Sequence, residues 1–306
     1  MSKADGDRMF LRVAAGPLTR TGRLALLSLS AFLAIPCIHG GGAVLAAECL
    51  LEEDKATSVV AKVIDGDTLV LEDGREVRLT GIQAPKLPLG RPNFDTWPLA
   101  GEARDAVAGI ALGKPVMLRF GGARIDRHKR VLAQVFVARD EGGFDWLQKE
   151  MLERGLARVY TFSDNRACSE ELLEAERAAR GKALGIWADP FYGIHDAADV
   201  AGLLERVGRF ELVEGRVASA ALVRGKLYLN FGDDYRRDFT VTVRERDVKL
   251  FGRDEPWGSL LGGTEATDVS ALAGRHVRVR GWLDRYNGPE MEATHPEQIE
   301  FTGDAD

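Results

Sequence analysis

SVVAKVIDGDTLVLEDGREVRLTGI, residues 58–82, decides the fold. Apolar residues alternate along it, and two Asp-Gly pairs, Asp65-Gly66 and Asp73-Gly74, interrupt the alternation. Asp-Gly between alternating runs is a strong hairpin signal, because glycine adopts the positive φ that tight turns require. The stretch predicts a three-stranded meander over about 57–64, 67–72 and 75–82. Arg78 stands among apolar neighbours in the third strand. A charge there must face solvent or a paired polar site.

Downstream, Pro85, Pro88, Pro92 and Pro98 make residues 83–98 a stiff loop. Proline has no amide hydrogen to give to a helix or a central strand. From Ala100 the period changes: Ala103, Val107, Ile110 and Ala111 recur at helical spacing, and Gly113 ends the run. PVMLRF (115–120) and RVLAQVFVA (130–138) predict two more strands around the charged turn ARIDRHK. A second helix is predicted over roughly 144–154, with Phe144, Leu147 and Met151 on one face and Gly155 as its stop. A third begins near Ser169, where Glu170 and Glu171 suit the positive helix end, and buries Leu172, Ala175 and Ala179. Trp187 is expected to close this domain as a partly covered core aromatic. Five strands and three helices, the first helix lying between the third and fourth strands, predict an OB-type barrel with helical packing over residues 47–192.

A linker with a short helix is expected over 193–209, and residues 210–306 are again strand-rich. Two or three strands run to about 244, a less regular stretch to about 270, and strands follow near 276–283, 289–293 and 298–301. The expected class is mainly β with α, the second part being another five-stranded OB-like domain that does not repeat the first in sequence. Tyr228, Phe231 and Trp282 are assigned to its packing. Arg278 and Arg280 share a strand face that offers a weak nucleic-acid contact.

Residues 1–46 stand apart. Lys3, Arg8, Arg12, Arg20 and Arg23 precede the apolar run Leu24–Ile38, and Val44 and Ala46 prepare a cut ahead of Ala47 or Glu48. That order predicts a signal peptide and a secreted or periplasmic bacterial protein. The run is shorter than the roughly 20 residues that span a bilayer, so the mature chain is expected to have no membrane span; an uncleaved anchor is the alternative. Cleavage removes five basic and two acidic side chains and takes the formal charge from −6 to −9. Such a chain is a poor non-specific binder of nucleic acid, whose affinity rests on neutralising phosphates. That weighs against a stable binding module more than against a hydrolase with a locally basic cleft. Cys49 and Cys168 would remain, permitting one disulfide or two independent thiols.

Phosphodiester hydrolysis needs charge against the phosphate, an aligned water and a stabilised leaving group. Arginine supplies the first through its fixed fork, and a carboxylate-bound divalent ion supplies charge and orients water. Arg78, Arg130 and Asp67 answer to these needs, although each alone has the simpler reading of a surface ion pair.

Five pieces, VIDGDT, VRLTGIQAP, IDRHKRVLA, GLARVY and ALGIW, resemble the staphylococcal nuclease (thermonuclease) family in order and spacing over about residues 57–190. The resemblance implies an OB-fold barrel with three helices and calcium-dependent hydrolysis of DNA and RNA, although some members are noncatalytic interaction modules. It makes Arg78 and Arg130 the phosphate-clamping catalytic pair and Asp67 a metal carboxylate. Gln83 stands where a second metal carboxylate is usual, and Lys86 where a glutamate would orient the attacking water. A glutamine carbonyl ligates without charge, so calcium or another divalent cation would be held weakly. Protonated Lys86 cannot act as a base and would instead contact a phosphate of the substrate. Asp65, Asp95 or Glu102 could swing in as a surrogate acid. Tyr160 and Phe162 either stack on bases or pack on the third helix. His128 is expected to be solvated, and Asp126 to fix its turn or pair with Arg130. The leading expectation is an exported nuclease acting on DNA or RNA with weakened or altered metal dependence. The alternative is a catalytically inactive nuclease-fold module that binds nucleic acid, or a protein partner through its C-terminal domain.

Overall fold

The computed structural model describes Cys49 and residues 51–54, 56–261 and 269–303. The expected signal peptide lies outside the described residues. Strands β1 (Ser58–Asp65), β2 (Thr68–Leu71) and β3 (Glu76–Leu79) form the antiparallel meander. Helix α1 (Ala100–Ala111) leads to β4 (Pro115–Phe120) and β5 (Val131–Ala138). β3 runs parallel to β5, β5 pairs with β4, and β4 returns to β1, so the five strands close into an OB-type barrel. Leu69, Leu71, Val77, Leu79, Leu118 and Val135 fill it, as the alternation requires. Helices α2 (Leu147–Glu153) and α3 (Ser169–Gly181) complete the predicted set.

Small residues on α1 bring it close to the first turn. A Cβ placed on Gly66 would lie 2.6 Å from the Ala84 Cβ and 2.8 Å from the Ala103 Cβ. Any side chain at 66 would therefore lever the turn, and Asp67 with it, away from the helix.

Two boundaries differ from the sequence expectation. The third strand stops at Leu79 because Gly81, at φ +86°, turns the chain out of the barrel. Gly81–Gln83 then pairs with Arg158–Tyr160 as a separate ladder that places Gln83 opposite Arg158. The second helix begins at Leu147, since Phe144–Trp146 instead pairs with β5. There Trp146 stacks on Phe136 at 5.9 Å and donates to the Gln134 side-chain carbonyl at 2.9 Å, contacts with β5 that override local helical periodicity. Cys49 and Cys168 form a disulfide that spans 119 residues and reaches the start of α3. Trp187 is half-buried, as expected.

A short helix, Val200–Leu204, lies in the expected linker. Beyond it come β6 (Phe210–Arg216), β7 (Ser219–Val223), β8 (Lys226–Asn230), β9 (Thr240–Val243), β10 (His276–Tyr286) and β11 (Gly288–Glu292). Four strands precede residue 244 rather than two or three. The hairpin between β7 and β8 turns on Arg224-Gly225, both at positive φ, and Arg-Gly is a far weaker turn signal than Asp-Gly. β9 pairs in parallel with β11, and β10 pairs with both β6 and β11. The stretch expected to be irregular contains two short helices, Glu245–Phe251 and Trp257–Leu261.

Each half has its own apolar cluster. Between them lies Arg280, fully buried, whose guanidinium donates to both oxygens of Glu176 on α3 at 2.9 and 3.0 Å and to Glu300. Arg280 is therefore a joint between the halves and does not face a nucleic acid, while Arg278 is paired with Glu214.

Candidate functional site

Asp67 follows Gly66 in the tight turn between β1 and β2, and its carboxylate is fully buried. One oxygen accepts from the Ala84 amide at 2.8 Å. Both oxygens accept from the Lys86 ammonium at 2.6 Å, and Arg78 Nη2 stands 3.4 Å away. Burial alone would raise this carboxyl, but the charges of Arg78 and Lys86, with hydrogen bonds from Lys86 and the Ala84 amide, hold it down at about 2. Asp65 sits 3.4 Å from the same ammonium; burial and then the neighbouring Asp67 charge push its carboxyl up.

Lys86 reaches this position because the stiff loop after Pro85 carries it back over the turn. The Trp97 amide donates to the Lys86 carbonyl at 3.0 Å and closes that loop. Gln83 points elsewhere. Its side-chain oxygen accepts from Arg158 Nε and Nη2 at 3.0 and 2.8 Å. These donors do not fit a divalent cation as arranged: an ammonium covers both Asp67 oxygens, and the Gln83 oxygen is turned onto a guanidinium. Among the described residues no group of three or more His, Cys, Asp or Glu side chains is placed to hold a metal.

Arg78 and Arg130 line one cleft of about 640 Å³. Arg78 is anchored on backbone carbonyls, with Nη1 on Leu79 at 2.5 Å and Nη2 on Ile82 at 2.7 Å. Arg130 immediately precedes the strand beside it, since β3 and β5 are parallel neighbours that pair Arg78 with Leu132. Asp126 both fixes the turn, accepting from the His128 and Arg130 amides at 2.8 and 2.9 Å, and binds Arg130 Nε at 2.8 Å. His128 is exposed beside Arg127.

The facing wall is aromatic. Tyr160 meets Phe162 and Phe210 edge-on, each at 4.8 Å, and its hydroxyl accepts from Trp282 Nε1 at 3.2 Å. Phe162 and Trp282 are 49% and 50% exposed and line the cleft. Trp282 is thus a cleft residue supplied by β10, where the sequence suggested barrel packing. Alternation alone could not tell the two faces of that strand apart. Of the surrogate acids, Glu102 is exposed on α1, and Asp95 lines a different cleft.

Residues 76–189 match the family described as staphylococcal nuclease homologue. The chain is 35% identical over 139 residues to Protein ParB of Escherichia coli, covering 43% of this chain and 72% of that protein. It belongs to the staphylococcal nuclease family. It is also 27% identical over 143 residues to the Thermonuclease of Staphylococcus hyicus, covering 46% of this chain and 80% of that one. The Thermonuclease of Staphylococcus intermedius is 28% identical over 132 residues, with 42% and 74% covered. The staphylococcal nuclease homology ends before Phe210 and Trp282, so the aromatic wall is in part an addition from outside the family domain.

Proposed function

We propose that this chain is a nucleic-acid-binding module on the nuclease fold, in which a lysine ammonium replaces the divalent ion and phosphodiesters are gripped without calcium-dependent cleavage. The observation that carries this reading is Lys86 Nζ at 2.6 Å from both Asp67 oxygens. An ammonium neutralises the carboxylate as a metal would, but it has no open coordination position for a water and no lone pair to take a proton. Arg130 and Arg78 supply the phosphate contacts. Tyr160, Phe162 and Trp282 offer rings to unpaired bases, which favours single strands.

The broader placement belongs to the same proposal. The nuclease half occupies 47–192 and a second half 210–306. If β6 and β7 are counted as one bent strand, the pairings of the second half follow the order of an OB barrel. Export to the periplasm or medium is supported by the basic-apolar leader and by likeness to bacterial thermonucleases. No helix among the described residues is long and apolar enough to cross a membrane. A retained phosphodiesterase is the second reading, favoured by Asp65, whose raised pKa suits it to carry a proton.

Fluorescence anisotropy with labelled single-stranded DNA and RNA, in calcium or in EDTA, tests the reading when the same samples are run on gels for fragments. Binding is expected to persist in EDTA, to weaken about tenfold in Arg130→Ala and to release no fragments. Fragments that form with calcium and vanish with EDTA would establish the phosphodiesterase instead. Absence of binding in both buffers would remove the nucleic-acid reading.

A further inference from the structure

A second cleft, of about 300 Å³, opens where the 93–97 loop meets Phe191 and the start of β6. Its floor is Arg158, only 3% exposed. Two of the guanidinium nitrogens are spent on one neutral oxygen of Gln83, and among the described residues Nη1 has no hydrogen-bond partner. The rings of Phe210, Tyr192 and Trp97 surround the group, 4.8, 5.8 and 5.9 Å from its carbon. Burial pulls this guanidinium down to about 10, against the pull of Glu211 and its neighbours. Carboxylates answer this cation only through space and its hydrogen bonds go only to a neutral amide, so a donor remains for an anion entering the cleft.

The walls narrow the kind of anion. Phe94, Trp97, Phe191 and Phe210 present flat apolar surface, which suits a planar ring. Arg209 adds a second cation at the exposed mouth. Glu211, whose charge already acts on Arg158, and Asp95 line the same space, so each added phosphate group meets more repulsion and a single phosphate is favoured over a polyphosphate. The volume lies at the small end of the range for small-molecule sites, about 300–1,000 Å³.

We infer that this cleft binds a nucleoside monophosphate, with the phosphate on Arg158 Nη1 and the base among the aromatic walls. The ligand is either a free mononucleotide or the phosphorylated end of a strand. The site stands apart from the Lys86–Asp67 pair and does not depend on whether nucleic acid occupies the first cleft.

Isothermal titration of the full chain with adenosine 5′-monophosphate, adenosine and inorganic phosphate tests this. The monophosphate is expected to bind saturably, and the two fragments at least about tenfold more weakly. Arg158→Gln, which can keep a polar contact with Gln83, is expected to weaken monophosphate binding about tenfold, while Arg224→Ala, on the exposed turn between β7 and β8, leaves it near wild type. The half-buried Phe94→Ala is the second variant, and a loss of about fivefold supports the site even if Arg158→Gln does not fold. No monophosphate binding by the wild type, or binding lost in Arg130→Ala, at the first cleft, and kept in Phe94→Ala, overturns the proposal. A 5′-phosphorylated tetranucleotide that displaces the monophosphate identifies a strand end as the ligand; one that does not identifies the free nucleotide.

Discussion

Lys86 and Asp67, 19 residues apart in sequence, form a buried ion pair in which one ammonium donates at 2.6 Å to both carboxylate oxygens. The carboxylate is fully buried and the lysine side chain about one-fifth exposed. A buried ion pair adds little net stability because desolvation offsets its attraction, whereas a buried ion that loses its partner is strongly destabilising. Lys86→Met leaves Asp67 with Arg78 and the Ala84 amide, and is expected to cost about 3 kcal/mol in urea unfolding. A loss below about 0.5 kcal/mol would mean that the ammonium does not compensate the buried carboxylate.

Lys86→Glu replaces the ammonium with a third carboxylate beside Asp65 and Asp67. Without metal this variant is expected to melt below the wild type through like-charge repulsion. Calcium should then raise its melting temperature, because an ion that binds only the folded state stabilises it, while the wild type stays unresponsive. Differential scanning fluorimetry across a calcium series distinguishes the two. An equal response in wild type and variant would show that calcium does not discriminate the side chain at 86.

Trp282 reaches the cleft from β10 and is half exposed, so little packing is lost on its removal. Trp282→Ala is expected to weaken single-strand binding by about 1–2 kcal/mol, the usual worth of one base on one ring, with the melting temperature nearly unchanged. Anisotropy titrations measure it. Unchanged affinity would confine the interface to the nuclease half.

His295 is buried between the Thr161 and Thr294 hydroxyls, which stand 2.7 and 3.0 Å from its two ring nitrogens. Burial, then the charges of Arg166 and Arg280, lower its pKa from the usual 6.5 to about 3. The unfolded chain therefore takes up a proton below about 6.5 that the folded chain refuses, and stability falls as pH drops from there towards 3. The slope attributable to this residue is about 1.4 kcal/mol per pH unit. Asp67 acts in the same direction only below its usual 3.8, so the two windows separate. Urea unfolding between pH 7 and 4 should show the slope in wild type and lose it in His295→Asn.

Reduction of Cys49–Cys168 releases a loop of 119 residues and is expected to cost about 5 kcal/mol, since the oxidised chain has less freedom to gain on unfolding. Melting with and without dithiothreitol provides the measurement.

The barrel was legible in sequence because its signals are local. Asp-Gly turns, alternation in β1 to β3 and helical spacing from Ala100 each act within a few residues, and they place Arg78 on one strand and Arg130 at the mouth of its neighbour. The chain also shows directly that lysine stands at 86 and glutamine at 83. Where those side chains go is a different matter. Lys86 meets Asp67 because prolines fold a loop back over a glycine turn, and Gln83 meets Arg158 because Gly81 redirects a strand into a new pairing. Trp282 joins Tyr160 because Arg280, two residues before it in β10, is fixed by Glu176 on α3. Local pattern determines which elements form, since backbone preference and burial of one face act at short range. The pairing of charges and rings across 19, 75 and 122 residues was decided only by packing, because those contacts exist only once distant segments have excluded water between them.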